Sequence, residues 1–153
     1  MAARVEIIGC LIVVAVLLQG AAAADTHHVG GNISWSIPTE GESAYTTWAS
    51  GEDFKLGDTI VFNWTGTHTV ARVSKDVYDN CTTANVLDND IQATSPVNYT
   101  LNSTEPQYFI CTIGRHCSLG QKVTISISSA TSLTVGAVTT MLLVMAISFL
   151  TSI

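Results

Sequence analysis

Apolar and polar residues alternate in short, strand-length bursts through the middle of this chain. Ile60-Val61-Phe62-Asn63-Trp64 and Thr69-Val70-Ala71-Arg72-Val73 predict two strands, joined by Thr65-Gly66-Thr67-His68. Tyr108 to Thr112 and Lys122 to Ile127 predict two more, and Val97 to Leu101 and Asn32 to Ser36 are further strand candidates. β-branched and aromatic residues fill these runs, with Gly, Pro, Asn and Asp between them. Only Ser74 to Cys81 has a local helical pattern, with Ser74 placed ahead of Lys75-Asp76-Val77-Tyr78. Many short strands at this spacing predict an all-β sandwich or barrel with one short helix.

Both ends break the alternation. Ile7 to Leu18 is almost unbroken apolar sequence, preceded by Arg4 and followed by Ala21-Ala22-Ala23-Ala24. A basic start, a short apolar stretch and small residues predict a secretory signal peptide over residues 1–24, with an uncleaved signal anchor as the alternative. Leu133 to Ile153 carries no charge, and a small-residue run, Ser126 to Ser132, precedes it. That order predicts a Ser/Thr-rich spacer and a hydrophobic glycolipid (GPI) anchor signal over 128–153, with Ser128, Ser129 or Ala130 as the attachment residue. The alternative is a single C-terminal transmembrane helix, although no basic residue follows it to mark a cytoplasmic side. The folded domain is then 25–127, outside the cell and held at the plasma membrane.

Charge narrows the partners. The span 25–127 holds five of the six Lys and Arg and eleven of the twelve Asp and Glu, so the chain's net charge of −6 resides there. Such a surface repels nucleic acid. Five N-x-S/T sequons, at Asn32, Asn63, Asn80, Asn98 and Asn102, agree with a secreted chain and are candidate N-glycosylation sites. Asn63 and Asn80 are the weaker candidates, since one falls in a predicted strand and the other beside a cysteine.

Cysteine arithmetic then asks for chemistry. Of the four cysteines Cys10 leaves with the signal peptide, and Cys81, Cys111 and Cys117 remain. An odd count in an oxidising compartment leaves one thiol free, joined to another chain, or bound to metal. The segment from Cys111 to Gln121 places a thiol, the His116 imidazole and the Gln121 amide five residues apart each time, between two predicted strands. His68, on an earlier turn, supplies a second imidazole. Two imidazoles and a thiolate with a weak axial donor form a blue-copper site, which has no open position for a substrate. An amide oxygen from Gln121 is a harder axial donor than a Met sulfur and favours Cu(II), which lowers the potential. This reading leaves Cys81 and Cys117 as the disulfide, clamping the ligand loop to the predicted helix. Pairing of Cys111 with either of them stays open at this point and would destroy the site.

The chain resembles the phytocyanins, plant cell-surface cupredoxins, and among them the stellacyanin subgroup. The likeness rests on Val29-Gly30-Gly31 with Trp35, Thr47-Trp48-Ala49, Phe54-Lys55-Leu56-Gly57-Asp58, His68-Thr69-Val70, Tyr78-Asp79-Asn80-Cys81 and the stretch Pro106 to Lys122. The resemblance implies an eight-stranded Greek-key β-sandwich with one copper ion at one end. It implies His68, Cys111 and His116 as equatorial ligands, Gln121 as axial ligand, a Cys81–Cys117 bridge, and the edge of His116 as the electron port. Arg115, beside that port, either favours an acidic redox partner or is an ordinary solvated residue. The long Pro-rich stalk of many relatives is nearly absent.

The expected function is one-electron transfer by a monomeric electron carrier, not an enzyme, with an unidentified small-molecule or protein redox partner. A multicopper oxidase is disfavoured, because His27, His28, His68 and His116 are the mature chain's only histidines. The alternative function is a surface glycoprotein acting in adhesion or signalling, with copper incidental. Asp25-Thr26-His27 carries two readings: after cleavage at Ala24 it would offer an amine, two amides and an imidazole to a square-planar Cu(II) or Ni(II), or it is a mobile N-terminus continuing into the first strand.

Overall fold

The computed structural model describes residues 23–127. Cys10, the remainder of the signal segment, the attachment candidates Ser128, Ser129 and Ala130, and the apolar tail lie outside the described residues.

Period-two burial builds two sheets. The strands are β1 (Thr26–His28), β2 (Thr59–Phe62), β3 (Val70–Val73), β4 (Ile91–Gln92), β5 (Val97–Thr100), β6 (Gln107–Ile110) and β7 (Lys122–Ile125). One sheet has the order β1-β2-β5 and the other β4-β3-β6-β7. β1 and β2 are parallel, and the remaining pairs are antiparallel. Ile60 and Phe62 from β2, and Val123 and Ile125 from β7, point inward at every second position. Between the sheets Phe62 meets Phe109 at a ring separation of 5.0 Å and stands edge-on to Trp35 at 4.9 Å. Full burial of each such side chain contributes about 1.5–3 kcal/mol. The all-β sandwich is the observed fold.

Two predicted strands that follow one another, β2 and β3, lie in different sheets. The segment Thr65-Gly66-Thr67-His68 is therefore a crossing and carries His68 over one end of the sandwich. The expected helix is present as Lys75–Asn80, and the Ser74 hydroxyl accepts from the Val77 N–H at 3.4 Å.

Asn32 to Ser36 is not a strand. Gly30, Gly31 and Ser34 have φ of 77°, 54° and 52°, which turns the chain through a 3-10 segment at Gly31–Ile33. A Cβ on Gly30 would come within 2.6 Å of the Ser34 carbonyl oxygen, so that turn requires glycine. One ladder contact survives, with the Trp35 N–H donating to the Asn63 carbonyl at 2.9 Å. The described residues hold seven regular strands against the eight that the resemblance implies.

A helix absent from the sequence reading spans Ser43–Ser50, here α1, so Lys75–Asn80 is α2. Only Ala44 and Tyr45 are buried on α1, which leaves no helical stripe to read. Its anchor is tertiary. The Tyr45 hydroxyl accepts from the Ser36 N–H at 2.8 Å and lies 2.8 and 2.7 Å from the Ser34 and Ser36 carbonyl oxygens.

Candidate metal centre

Four segments converge at one end of the sandwich. His68 ends the crossing from β2, two residues ahead of the start of β3, and Cys111 follows the last residue of β6. The chain then reverses tightly. The His116 N–H donates to the Ile113 carbonyl at 2.9 Å, and the Gln121 N–H donates to the His116 carbonyl at 3.0 Å. The Cys111 N–H closes the loop onto the Gln121 carbonyl at 3.0 Å. Gly120 makes the reversal possible. Its φ is 98°, and a Cβ there would sit 2.9 Å from the Glu42 backbone nitrogen and Cα.

One ligand atom from each of His68, Cys111 and His116 lies within 4.8 Å of the others. Cys111 Sγ is 3.5 Å from His116 Nδ1, and the two imidazole rings are 5.0 Å apart. Gln121 is fully buried, with Oε1 3.0 Å from His68 Nδ1 and with Nε2 unpartnered. A buried amide nitrogen without a partner costs about 1–3 kcal/mol. Packing density alone does not require a polar residue there, so a polar occupant points to the donor cluster. Burial, opposed by the hydrogen bond to Gln121 and reinforced by the charge of His116, holds the His68 ring below its ordinary 6.5. A soft sulfur, two ring nitrogens and an amide oxygen form a donor set that fits copper. The four sequence-predicted ligands are brought together.

Cys81 and Cys117 are bonded, and Cys111 is buried and free. The bridge ties the residue after His116 to the end of α2. The two alternative pairings are thereby excluded.

The sequence reading missed the residues behind the sulfur. The Thr69 N–H donates to Cys111 Sγ at 3.5 Å, and the Thr112 N–H donates to Thr69 Oγ1 at 2.9 Å. The two threonine hydroxyl oxygens are 2.8 Å apart. The Trp35 indole N–H donates to the Thr69 carbonyl at 2.8 Å and fixes that backbone. Thr69 and Thr112 each directly follow a predicted ligand, and that adjacency was the available signal.

Of the two readings of Asp25-Thr26-His27, the structure shows the continuation into the first strand. Residues Thr26 to His28 pair with Thr59 to Val61, so the backbone is committed to the sheet. His27 is buried, with Nδ1 2.7 Å from Glu52 Oε2 and Nε2 3.0 Å from Asp58 Oδ2. Both ring nitrogens are used, and wrapping a cation would require β1 to detach. The five sequon asparagines, Asn32, Asn63, Asn80, Asn98 and Asn102, are all exposed.

A plastocyanin-like domain model matches residues 35–121, a span that includes all four converging residues. The chain belongs to the phytocyanin family of plastocyanin-like domains. It is 41% identical over 108 residues to a blue copper protein of Arabidopsis thaliana, covering 70% of this chain and 54% of that one. It is 41% identical over 106 residues to the cucumber peeling cupredoxin of Cucumis sativus, covering 68% of this chain and 76% of the relative. Stellacyanin of Toxicodendron vernicifluum is 31% identical over 102 residues, covering 65% of this chain and 94% of its own length. The chain thus spans little more than half of the Arabidopsis relative. Among solved structures it superposes on cucumber stellacyanin with a TM-score of 0.64 at 39% identity, covering 71% of this chain and 98% of the other. Cucumber basic protein, a blue copper protein, superposes with a TM-score of 0.55 at 27% identity, covering 67% and 98%. Phytocyanins bind one copper ion.

Proposed function

We propose that this phytocyanin is a one-electron carrier at the outer face of the plasma membrane, in which His68, Cys111, His116 and the Gln121 amide oxygen would hold copper. The observation that carries the reading is the convergence of the three ligand atoms within 4.8 Å beside a fully buried glutamine. Copper, when bound, supplies a couple that takes up and gives back one electron. The chain's residues do the rest. Cys111 and Gln121 are wholly buried and exclude water, whereas His116 is partly exposed and offers the electron path to a partner. Disulfide and Gly120 turn hold the ligands in one arrangement, so little rearrangement accompanies electron movement.

The location rests on the signal and anchor segments read from the sequence, and five exposed sequons support a secreted, glycosylated chain. The carrier acts as a monomer with an unidentified small-molecule or protein redox partner, and Arg115, exposed beside His116, favours an acidic one. The test is an optical spectrum of the secreted protein after addition of Cu(II). An intense band near ~600 nm, bleached by ascorbate and absent from Cys111→Ala, is the outcome expected of a thiolate–copper bond. A colourless protein with a free Cys111 thiol transfers the case to the surface-glycoprotein alternative, which the exposed sequons equally support.

A further inference from the structure

We propose that Thr112 sets how many hydrogen bonds the copper thiolate receives, by engaging the Thr69 hydroxyl and keeping it off the sulfur. The inference rests on the blue-copper reading and concerns how this chain tunes that site.

Cys111 Sγ has two potential donors on Thr69, the backbone N–H at 3.5 Å and the hydroxyl at 3.7 Å. The backbone donor is the Thr69 N–H, and Trp35 holds the next peptide along through the Thr69 carbonyl at 2.8 Å. The hydroxyl has an alternative. Its oxygen accepts from the Thr112 N–H at 2.9 Å, and its single proton is shared by geometry between Thr112 Oγ1 at 2.8 Å and the sulfur at 3.7 Å. An O···O distance of 2.8 Å is ideal for a hydroxyl pair, whereas an oxygen 3.7 Å from sulfur makes a weak bond. Either hydroxyl can donate across the 2.8 Å contact; with the Thr69 proton on Thr112 Oγ1, the arrangement we assign, the sulfur receives one hydrogen bond and not two. Thr69 is 6% exposed, so water does not compete for the hydroxyl.

The consequence is electrostatic. A donor on the thiolate stabilises its negative charge, and more so when copper is reduced and the sulfur holds more electron density. Withholding the second donor keeps the site easier to oxidise, in the same direction as a hard axial oxygen. Thr112 is thus a positioning residue that acts through Thr69.

The test uses the processed full-length protein and the variants Thr112→Val, Thr69→Ser and Thr69→Val/Thr112→Val. Removal of Thr112 Oγ1 frees the Thr69 hydroxyl to turn onto the sulfur. The equilibrium constant for reduction is then expected to rise up to about tenfold, equal to about 59 mV for one electron. The thiolate-to-copper band is expected to move to higher energy. Thr69→Ser keeps the hydroxyl and is expected to leave both readouts near wild type, while the double variant, which has no hydroxyl to turn, is expected to lose the Thr112→Val shift. In copper-free protein, exchange of the Thr112 amide is expected to be slow in wild type and in Thr112→Val, and fast when Thr69 is Val. A blue, folded Thr112→Val protein whose potential is unchanged or lower overturns the inference, since a lower value means that Thr112 had been driving the Thr69 hydroxyl onto the sulfur. A double variant shifted as far as Thr112→Val overturns it as well. A wild-type chain with no blue band defeats the electron-transfer reading, and this inference falls with it.

Discussion

Gln121 is a primary amide in a fully buried position, where an apolar side chain of its size would be cheaper by the cost of one unpaired nitrogen. Its neighbours explain the choice. Oε1 faces His68 Nδ1, and the backbone on either side is tied to His116 and Cys111. The oxygen is thus delivered to the ligand cluster by main-chain hydrogen bonds rather than by side-chain packing. Exchanging it for a thioether replaces a hard donor by a soft one and favours the reduced ion. Gln121→Met is expected to raise the reduction equilibrium constant by about tenfold or more, about 59 mV upward for one electron, read by voltammetry. A blue variant with an unmoved potential removes Gln121 from the axial role.

The short strand β1 has three residues and is held by its pairing with β2 and by the contacts of His27. His27 bridges Glu52 and Asp58, and Asp58 also accepts from the Asp25 N–H at 2.8 Å and from the Lys55 N–H at 2.8 Å. Burial alone would lower the His27 pKa, but hydrogen bonds and charge from Glu52 and Asp58 raise it above 6.5. Burial would raise Asp58, yet the Asp25 N–H, His27 and the Lys55 N–H together hold it below 3.8. The signs follow. The contribution of His27 is complete below about pH 6.5 and disappears as pH rises through its raised value, while that of Asp58 is complete above about pH 4 and disappears in acid. Stability is therefore expected to plateau between these limits and to fall on both sides, as measured by urea unfolding across the pH range. His27→Gln is expected to cost about 3 kcal/mol on the plateau and to flatten the alkaline limb. A wild-type alkaline limb already flat from about pH 5 to 8 would remove the protonated bridge.

Across the whole molecule, the direction of the strands separates the ligand cluster from the chain ends. β7 begins next to Gln121 and runs away from the cluster, and β1 lies parallel to β2, whose chain reaches His68 only after the strand is complete. Asp25 and Ser126 therefore leave the sandwich at the far end. A cleft lined by Glu52, Phe54, Thr124 and Ser126 adjoins the Glu52–His27 contact and brings the two ends into one neighbourhood. Copper-loaded protein immobilised through its C-terminal end is expected to exchange electrons with a soluble reagent as fast as free protein does. Immobilisation through Arg115→Cys, beside the port, is expected to slow that exchange severalfold; equal rates in stopped flow would place the electron path elsewhere.

Period-two patterning and the odd cysteine count were enough to read a β-sandwich and the set His68, Cys111, His116 and Gln121, because strand burial and ligand chemistry are both properties of local residue type. Helix α1 was not legible, since its anchor is the Tyr45 hydroxyl gripping Ser34 and Ser36, a contact with no periodicity. The chain at Asn32 to Ser36 looked extended because Ile33 and Trp35 alternate with polar residues, whereas Gly30, Gly31 and Ser34 take positive φ to turn Trp35 into the core. The free amine-terminal metal site failed for a related reason: whether His27 is loose or buried depends on Glu52 and Asp58, about thirty residues away. The threonine pair behind Cys111 is likewise a product of β3 lying beside β6. Local order along the chain thus decided which atoms are available for metal chemistry. Pairing between distant segments decided which of them converge, which are already occupied, and how many hydrogen bonds the thiolate accepts, because those depend on distances that only the packed sheets define.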